Sequence, residues 1–282
     1  MNGFINLYKP AGMSSAYAVG AVKKKFNISC GHMGTLDPMA EGVLPVGVGQ
    51  ASRLFDFFLD KEKEYVAEFK FGLLTDTLDV TGKTIKTCEK IPTDIEIQEK
   101  LGLFIGEIDQ VPPNYSAKCI DGKRGYQLAR RGEEFTLPPK KVIINNFEYL
   151  GKTYENTFKF RINCKGGTYI RSLARDLGEA TNSLATMKSL CRTKSGIFTV
   201  ENSVSVDELK NSVDAGKLLI PSDQTINFEK LVLNPKEAKR LLDGLKDEYP
   251  NPDGLYRVYN ESTFWGVGII QDGVLKMKAY VR

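Results

Sequence analysis

The chain has 282 residues, 41% of them hydrophobic and 26% charged, with 39 Lys or Arg against 35 Asp or Glu. This is a globular composition. It holds no run near the ~20 apolar residues of a membrane-crossing helix, and a net charge of +4 does not by itself argue for a polyanionic partner.

The start, Met1-Asn2-Gly3-Phe4-Ile5-Asn6-Leu7, lacks the basic end and apolar block of a signal peptide, so a cytoplasmic protein is expected. Phe4 to Tyr8 reads as a short strand and Lys9-Pro10-Ala11-Gly12 as a turn. Ser14 or Ser15 can cap a helix whose apolar face uses Val19, Val22 and Phe26. The segment Gly31-His32-Met33-Gly34-Thr35-Leu36-Asp37-Pro38-Met39-Ala40-Glu41-Gly42-Val43-Leu44-Pro45 follows. Its glycines and prolines keep it out of regular structure. It carries a carboxylate and the chain's single histidine. An Asp-Pro pair alone is an ordinary helix start, but this string is far longer than a cap needs.

Val43 to Val48 reads as a buried strand, Ala51 to Leu59 as a helix, and Tyr65, Ala67, Phe69 and Phe71 as the buried face of a second strand. Thr75 to Thr84 is expected to be a loop, Ile95 to Phe104 a helix, and Val111-Pro112-Pro113-Asn114-Tyr115 an extended or turning stretch. A helix is expected over Lys123–Arg131, ending at Gly132. Strands are expected at Val142–Leu150 and Thr157–Cys164, then a helix over Tyr169–Ala180. Pro221 to Asn227 marks a boundary, which divides the chain into 1–225 and 226–282. Beyond it a helix, Pro235–Leu242, and three strands, Leu255–Tyr259, Phe264–Ile270 and Leu275–Val281, make a β-rich tail with hairpin residues at Asn260 and Asp272-Gly273.

The cysteines at 30, 88, 119, 164 and 191 are scattered, and no two form a Cys-x-x-Cys pair. With one histidine they argue against zinc and for free thiols in a reducing compartment. Two basic blocks, Lys159–Lys194 with eight Lys or Arg against two acids and Lys118–Lys141 with seven against three, could face phosphates or simply be solvated. Three motif fragments fail. Thr81-Gly82-Lys83-Thr84 has Thr77 where a phosphate loop needs glycine. Gly47-Val48-Gly49 has Ser52 at the third glycine position of a dinucleotide fingerprint. No Gly-x-Ser-x-Gly elbow accompanies His32.

The loop around Asp37 closely resembles the nucleophile loop of the TruB family of tRNA pseudouridine synthases, which reads Gly-His-x-Gly-x-Leu-Asp-Pro-x-Ala-x-Gly-x-Leu. Every fixed position is met. Further blocks resemble the family in order: Lys9-Pro10-Ala11-Gly12-Met13-Ser14, Lys61-Glu62-Lys63-Glu64-Tyr65, Thr75-Asp76-Thr77 with Asp79 and Gly82, Pro112-Pro113 through Lys118, Gly122 through Gly132, Gly166-Gly167-Thr168-Tyr169-Ile170-Arg171, and Leu190-Cys191-Arg192-Thr193 through Gly196. Position 33 is Met where the family often has Thr.

The resemblance implies an α/β (α+β) fold, a mixed and largely antiparallel sheet flanked by helices, closed by a small PUA-like tail. It also implies isomerisation of the T-loop uridine at tRNA position 55 to pseudouridine. Asp37 would be the nucleophile, paired with Arg171, a guanidinium being suited to hold a carboxylate ionised with two hydrogen bonds. Tyr65 would stack on the uracil and take part in proton removal from C5. Tyr169 and Leu190 would line the pocket, His32 would contact the RNA where the base swings out, and Lys9 would support the loop or a phosphate. Asp76 and Asp79 would brace their loop. The chemistry calls for no metal and no organic cofactor. The partner is the T-arm stem-loop, met by a monomer without a membrane. A tRNA chaperone, or a synthase acting on other RNA, stays open as an alternative.

Overall fold

A computed structural model describes residues 1–59, 61–115, 119–120, 123–124 and 137–281. The larger body is a ten-stranded mixed sheet. Its strands are β1 (Gly3–Lys9), β2 (Cys30–His32), β3 (Glu41–Val48), β4 (Lys63–Phe71), β7 (Gly106–Gln110), β10 (Lys140–Tyr154), β11 (Thr157–Cys164), β12 (Ala185–Ser195), β13 (Phe198–Thr199) and β14 (Val204–Ser205). They run in the order β14-β1-β3-β12-β4-β11-β10-β7, with β2 beside β3 and β13 beside β12. Only the β1–β14 and β12–β3 pairings are parallel. Two small hairpins, β5 (Leu73–Thr75) with β6 (Thr84–Thr87) and β8 (Cys119–Ile120) with β9 (Lys123–Arg124), lie outside it.

Helices follow their caps. In α1 (Ser15–Phe26) the Ser14 hydroxyl accepts from the Tyr17 amide, and Asn27 closes the helix in the left-handed region. The Ser15 side chain is therefore free for other work. Thr93 and Glu96 form a reciprocal capping box at α3 (Asp94–Leu101), which tightens into a 3-10 turn over Gly102–Phe104. The expected helix at 51–59 is split: a 3-10 turn over Gly49–Leu54 precedes a one-turn α2 (Asp56–Leu59). The helix α4 (Ile170–Ala180) packs its buried Leu173, Ala174 and Leu177 toward the sheet. The short α5 (Val206–Asn211) has its own capping box at Ser205 and Glu208 and was not anticipated from the sequence. Of the helix expected at 123–131, Lys123 and Arg124 are in a strand instead, and 125–131, with Gly132, lie outside the described residues.

One main core fills the helix side of the sheet, with Ile5, Leu44, Ala67, Phe69, Phe160 and Leu177 fully buried. Pro45 within β3 costs no ladder bond. Its carbonyl side faces the point where β3 leaves β12 for β2, and the carbonyl accepts from the Met33 amide at 2.8 Å.

The C-terminal sheet is four-stranded: β15 (Glu229–Leu233) parallel to β16 (Gly254–Asn260), then β17 (Thr263–Gln271) and β18 (Val274–Tyr280) antiparallel. The helix α6 (Pro235–Leu242) starts at an Asn234 cap with Pro at its first position. Turn residues Glu261, Asp272 and Gly273 take positive φ. This sheet is docked on the larger one. Phe4, Phe58 and Phe198 share a core with Ile226, Val267, Ala279 and Val281.

Candidate active site

The segment Met33–Ala40 leaves β2 and returns into β3, so its two ends are anchored on neighbouring, hydrogen-bonded strands. Three devices hold its middle. The buried Ser15 hydroxyl donates to the Leu36 carbonyl at 2.7 Å and accepts from the Leu36 amide at 2.9 Å. The Gly12 amide donates to Pro38 at 2.8 Å. Lys9, with no exposed surface, donates from Nζ to the carbonyls of Pro10, Met13, Pro38 and Ala40. Gly42, at φ +105°, lies so close to β12 that a Cβ would overlap the Arg192 backbone. The loop's glycines and Lys9 thus serve one purpose, a fixed backbone beneath Asp37.

Asp37 is met from the other side by Arg171, on the first turn of α4. Arg171 Nε lies 3.0 Å from Asp37 Oδ2 and Nη2 lies 3.3 Å from Oδ1, a two-pronged pair. The same guanidinium donates to the Thr77 carbonyl at 3.0 Å and the Tyr115 carbonyl at 3.1 Å, and lies 3.8 Å from Asp79 Oδ2. Asp79 is buried and accepts from the Thr77 hydroxyl and from the Thr81 amide and hydroxyl. Asp76 accepts from the Lys83 amide at 2.8 Å. The two acids therefore brace the loop between β5 and β6, as expected from the sequence.

The pair faces a cavity of about 270 Å³ whose wall includes Thr35, Leu36, Asp37, Tyr65, Tyr115, Tyr169, Leu190 and Arg192. Asp37 keeps a third of its side chain exposed while Arg171 keeps 8%. The carboxylate is presented and the guanidinium sits behind it. Tyr65 on β4, Leu190 on β12 and Tyr169 at the mouth of α4 come together here from three places in the chain.

Two further residues singled out in the sequence lie off the cavity wall. His32 ends β2, half-buried and off the cavity wall. Burial and the nearby Arg192 charge pull its pKa down, and its Nδ1 has no partner among the described residues. Lys9 does not reach the cavity either. Its ammonium is spent on loop carbonyls, so of the two uses open to it, loop support is the one this geometry allows.

Burial pulls the Lys9 pKa down to about 8, with Asp37 and Glu41 opposing. Above that pH the amine has one donor fewer and a lone pair facing carbonyls. Turnover is expected to fall through a limb centred near pH 8, read from single-turnover rates between pH 6 and 10. The fold is not expected to follow. The folded pKa lies below the ordinary lysine value of 10.5, so the unfolded chain holds this proton longer. The group therefore favours the folded state increasingly as pH rises from about 8 to 10.5. A melting temperature that falls together with the rate would refute this assignment.

Three supports could not be read from sequence. Gln110, 1% exposed, pairs its amide with the backbone of Tyr169, accepting from its N–H at 2.8 Å and donating to its carbonyl at 3.1 Å. Ser172 and Arg175 of α4 both donate to the Val111 carbonyl. Arg192 is buried in the cavity wall. Gln110 is a lone amide before a Pro-Pro pair, and nothing in its spacing marks it. Arg192 stands in a basic block and in the Leu190–Gly196 stretch that resembles the family, but neither reading gives it a role.

That block does not make a single basic face. Arg171 and Arg192 are buried, Arg161 pairs with Glu148 at 2.7 Å, and Lys188 pairs with Glu68 at 3.6 Å. Most of the second block lies outside the described residues. No cluster of metal-ligating side chains occurs among the described residues, and none of their helices is long and apolar enough to cross a membrane.

A held carboxylate beside an open cavity is a frequent arrangement, and its meaning depends on kinship. Residues 23–170 match the N-terminal domain of TruB family pseudouridylate synthases, and residues 171–226 match the tRNA pseudouridylate synthase B C-terminal domain. The chain is 40% identical to the tRNA pseudouridine synthase B of Clostridium tetani over 95% of each chain. It is 46% identical to that of Anaplasma marginale over 77% of this chain and 71% of the relative. Its fold is also that of two solved assemblies at lower identity. One is an H/ACA RNP bound to a substrate RNA containing 2′-deoxyuridine (22% identity, TM-score 0.74, 99% of this chain and 85% of that one). The other is a Cbf5-Nop10-Gar1 complex (24%, 0.72, 99% and 84%). The loop, the paired carboxylate and both halves of the match agree: the chain belongs to the TruB family of pseudouridylate synthases.

Proposed function

We propose that this protein isomerises the uridine at position 55 of the tRNA T-loop to pseudouridine, with Asp37 as the nucleophile. The observation that carries the proposal is the two-pronged Asp37–Arg171 pair, held at the wall of a cavity with room for one base and lined by three tyrosines. An arginine so placed favours the ionised carboxylate. Asp37 can then attack or stabilise the sugar as the N1–C1′ bond opens. Tyr65 packs on the uracil, with Tyr169 and Leu190 closing the pocket around it. The target must leave its stack to arrive there. His32, kept neutral by burial, suits stacking on RNA beside the loop rather than acid–base chemistry. Lys9 and Ser15 hold the loop.

Residues 226–282 form a PUA-like unit in this reading and extend the RNA surface, with nine basic against eight acidic residues. The protein acts as a monomer in the cytoplasm. The four described cysteines are free thiols, which suits a reducing compartment.

The test uses purified protein and unmodified tRNA transcripts, with pseudouridine mapped at single-nucleotide resolution. Conversion is expected at position 55 and nowhere in a transcript carrying cytidine there. Binding should weaken steeply with salt as phosphate contacts are screened. Conversion at another position with position 55 untouched would overturn the substrate assignment.

A further inference from the structure

Arg192 stands in the middle of β12, opposite Tyr65 of β4 and beside Gly42 of β3. It is 1% exposed, among the largest fully buried side chains of the protein. Its Nε donates to the Val43 carbonyl at 2.8 Å and its Nη2 to the Gly34 carbonyl at 3.0 Å. Tyr65 is its direct cross-strand neighbour, and the two side chains line the same cavity wall. None of the ion pairs among the described residues includes it. A guanidinium keeps its proton in any protein site. A full positive charge is therefore buried at the cavity wall against neutral oxygens alone, where buried charges are ordinarily paired. Asp37, the nearest acid on that wall, is already held by Arg171.

Hydrogen-bond inventory sharpens the point. Arginine has donors and no acceptor, so toward its cross-strand neighbour Arg192 the Tyr65 oxygen can only accept. The Tyr65 proton is then directed away from the guanidinium. Tyr65 lines the cavity, so the cavity is where that proton can find an acceptor.

We infer that Arg192 and Tyr65 form a donor site for the negative charge that appears on the uracil when its glycosidic bond breaks. The inference rests on the pseudouridine synthase reading and deepens it. The electron pair of the N1–C1′ bond leaves with the base. C1′ is made good either by a bond from the Asp37 carboxylate or by loss of the C2′ proton to it. In both cases the base departs as the same anion, its charge spread over N1, O2 and O4. Tyr65 donates its O–H to a carbonyl oxygen of that anion, and Arg192 polarises the hydroxyl and supplies the opposing charge. The base then turns, C5 bonds to C1′ as the bond or proton at Asp37 is returned, H5 is lost to solvent and N1 takes up a proton. No atom is gained or lost overall. Donors fixed in advance where charge develops are the strongest electrostatic device an active site has. Tyr65 touches the base, and Arg192 is a positioning residue acting through it.

The test compares wild type, Arg192→Gln, Arg192→Lys and Tyr65→Phe on two RNAs, one with uridine and one with 5-fluorouridine at the target. Fluorine withdraws electrons and stabilises the departing base by itself. Loss of the starting N-glycoside is followed in single turnover, and RNA affinity and melting temperature are measured alongside. With uridine, Arg192→Gln is expected to slow the step about 10²- to 10³-fold with affinity unchanged. With 5-fluorouridine the deficit should shrink by roughly tenfold or more, as befits a lost charge stabiliser. Tyr65→Phe should show the same shrinkage, and Arg192→Lys should recover part of the rate.

An equal deficit on both RNAs would make Arg192 purely structural and overturn the inference. So would a loss of affinity at unchanged rate, the mark of a phosphate contact. If Arg192→Gln does not fold, Tyr65→Phe and Arg192→Lys decide by the same comparison. Wild type inert on uridine would instead sink the synthase reading, and this inference with it.

Discussion

Replacing Asp37 by asparagine is expected to reduce turnover by at least about 10⁴-fold, on the scale of removing a covalent nucleophile, while tRNA affinity stays within a few-fold of wild type. The substitution keeps the side chain's size and removes its charge and its nucleophilic oxygen. The Asp37 carboxylate accepts from two donors of Arg171. An amide can accept from one and sets its own N–H₂ against the other. The loop should survive, because its shape is held by Ser15, Lys9 and the Gly12 amide, none of which touches the Asp37 side chain. Arg171 also keeps its bonds to Thr77 and Tyr115. Tritium release from tRNA labelled at uridine C5, run in single turnover beside filter binding, separates the outcomes. Binding that falls as far as turnover would make Asp37 a structural residue. Turnover that persists would move the chemistry to another group.

The half of the site built from local sequence was the legible half. The loop around Asp37 has a spacing that needs a fixed backbone, and its glycines, prolines and Asp-Pro pair state this without any fold. The strand alternation at Tyr65 to Phe71 and the helix at Ile170–Ala180 were readable for the same reason, since one face of each meets a continuous core. The β-rich tail likewise advertised its hairpins through Asp272-Gly273.

The strand β12 was invisible, although it lies at the centre of the larger sheet and carries Leu190 and Arg192. Its register slips twice against β4, between Met187 and Ser189 and between Arg192 and Lys194. Each slip resets the two-residue period on which a strand is recognised. Its buried positions include Thr186, Arg192 and Ser195, so burial and apolarity are uncoupled along it. The long β10 shows the milder form of the problem: three irregularities against β11 hid its ends and left only its middle readable. Gln110 failed for another reason. Its amide imitates a strand partner for the Tyr169 backbone, a role decided by residues 59 positions away and unmarked by any local pattern.

Arg171 is expected to matter to both chemistry and fold, and two substitutions divide the effects. With Arg171→Ala, Asp37 loses its two-pronged partner, and the carbonyls of Thr77 and Tyr115 lose a shared donor. Turnover should fall about 10³-fold, within the range for a single preorganised charge partner. Stability should fall by about 3–5 kcal/mol, the usual consequence of breaking a buried pair from one side, and toward the lower end because Asp37 is a third exposed and solvent screens what remains. Arg171→Lys keeps the charge but loses the fork. An ammonium cannot reach Asp37 with two parallel bonds and also serve two carbonyls. Its melting temperature should therefore recover much of the way toward wild type, while turnover stays well below it. Such a split would show that the aim of the carboxylate, beyond the nearby positive charge, governs the rate. A lysine variant restored in both respects would reduce Arg171 to a counterion, and an alanine variant with wild-type tritium release would remove it from the reaction.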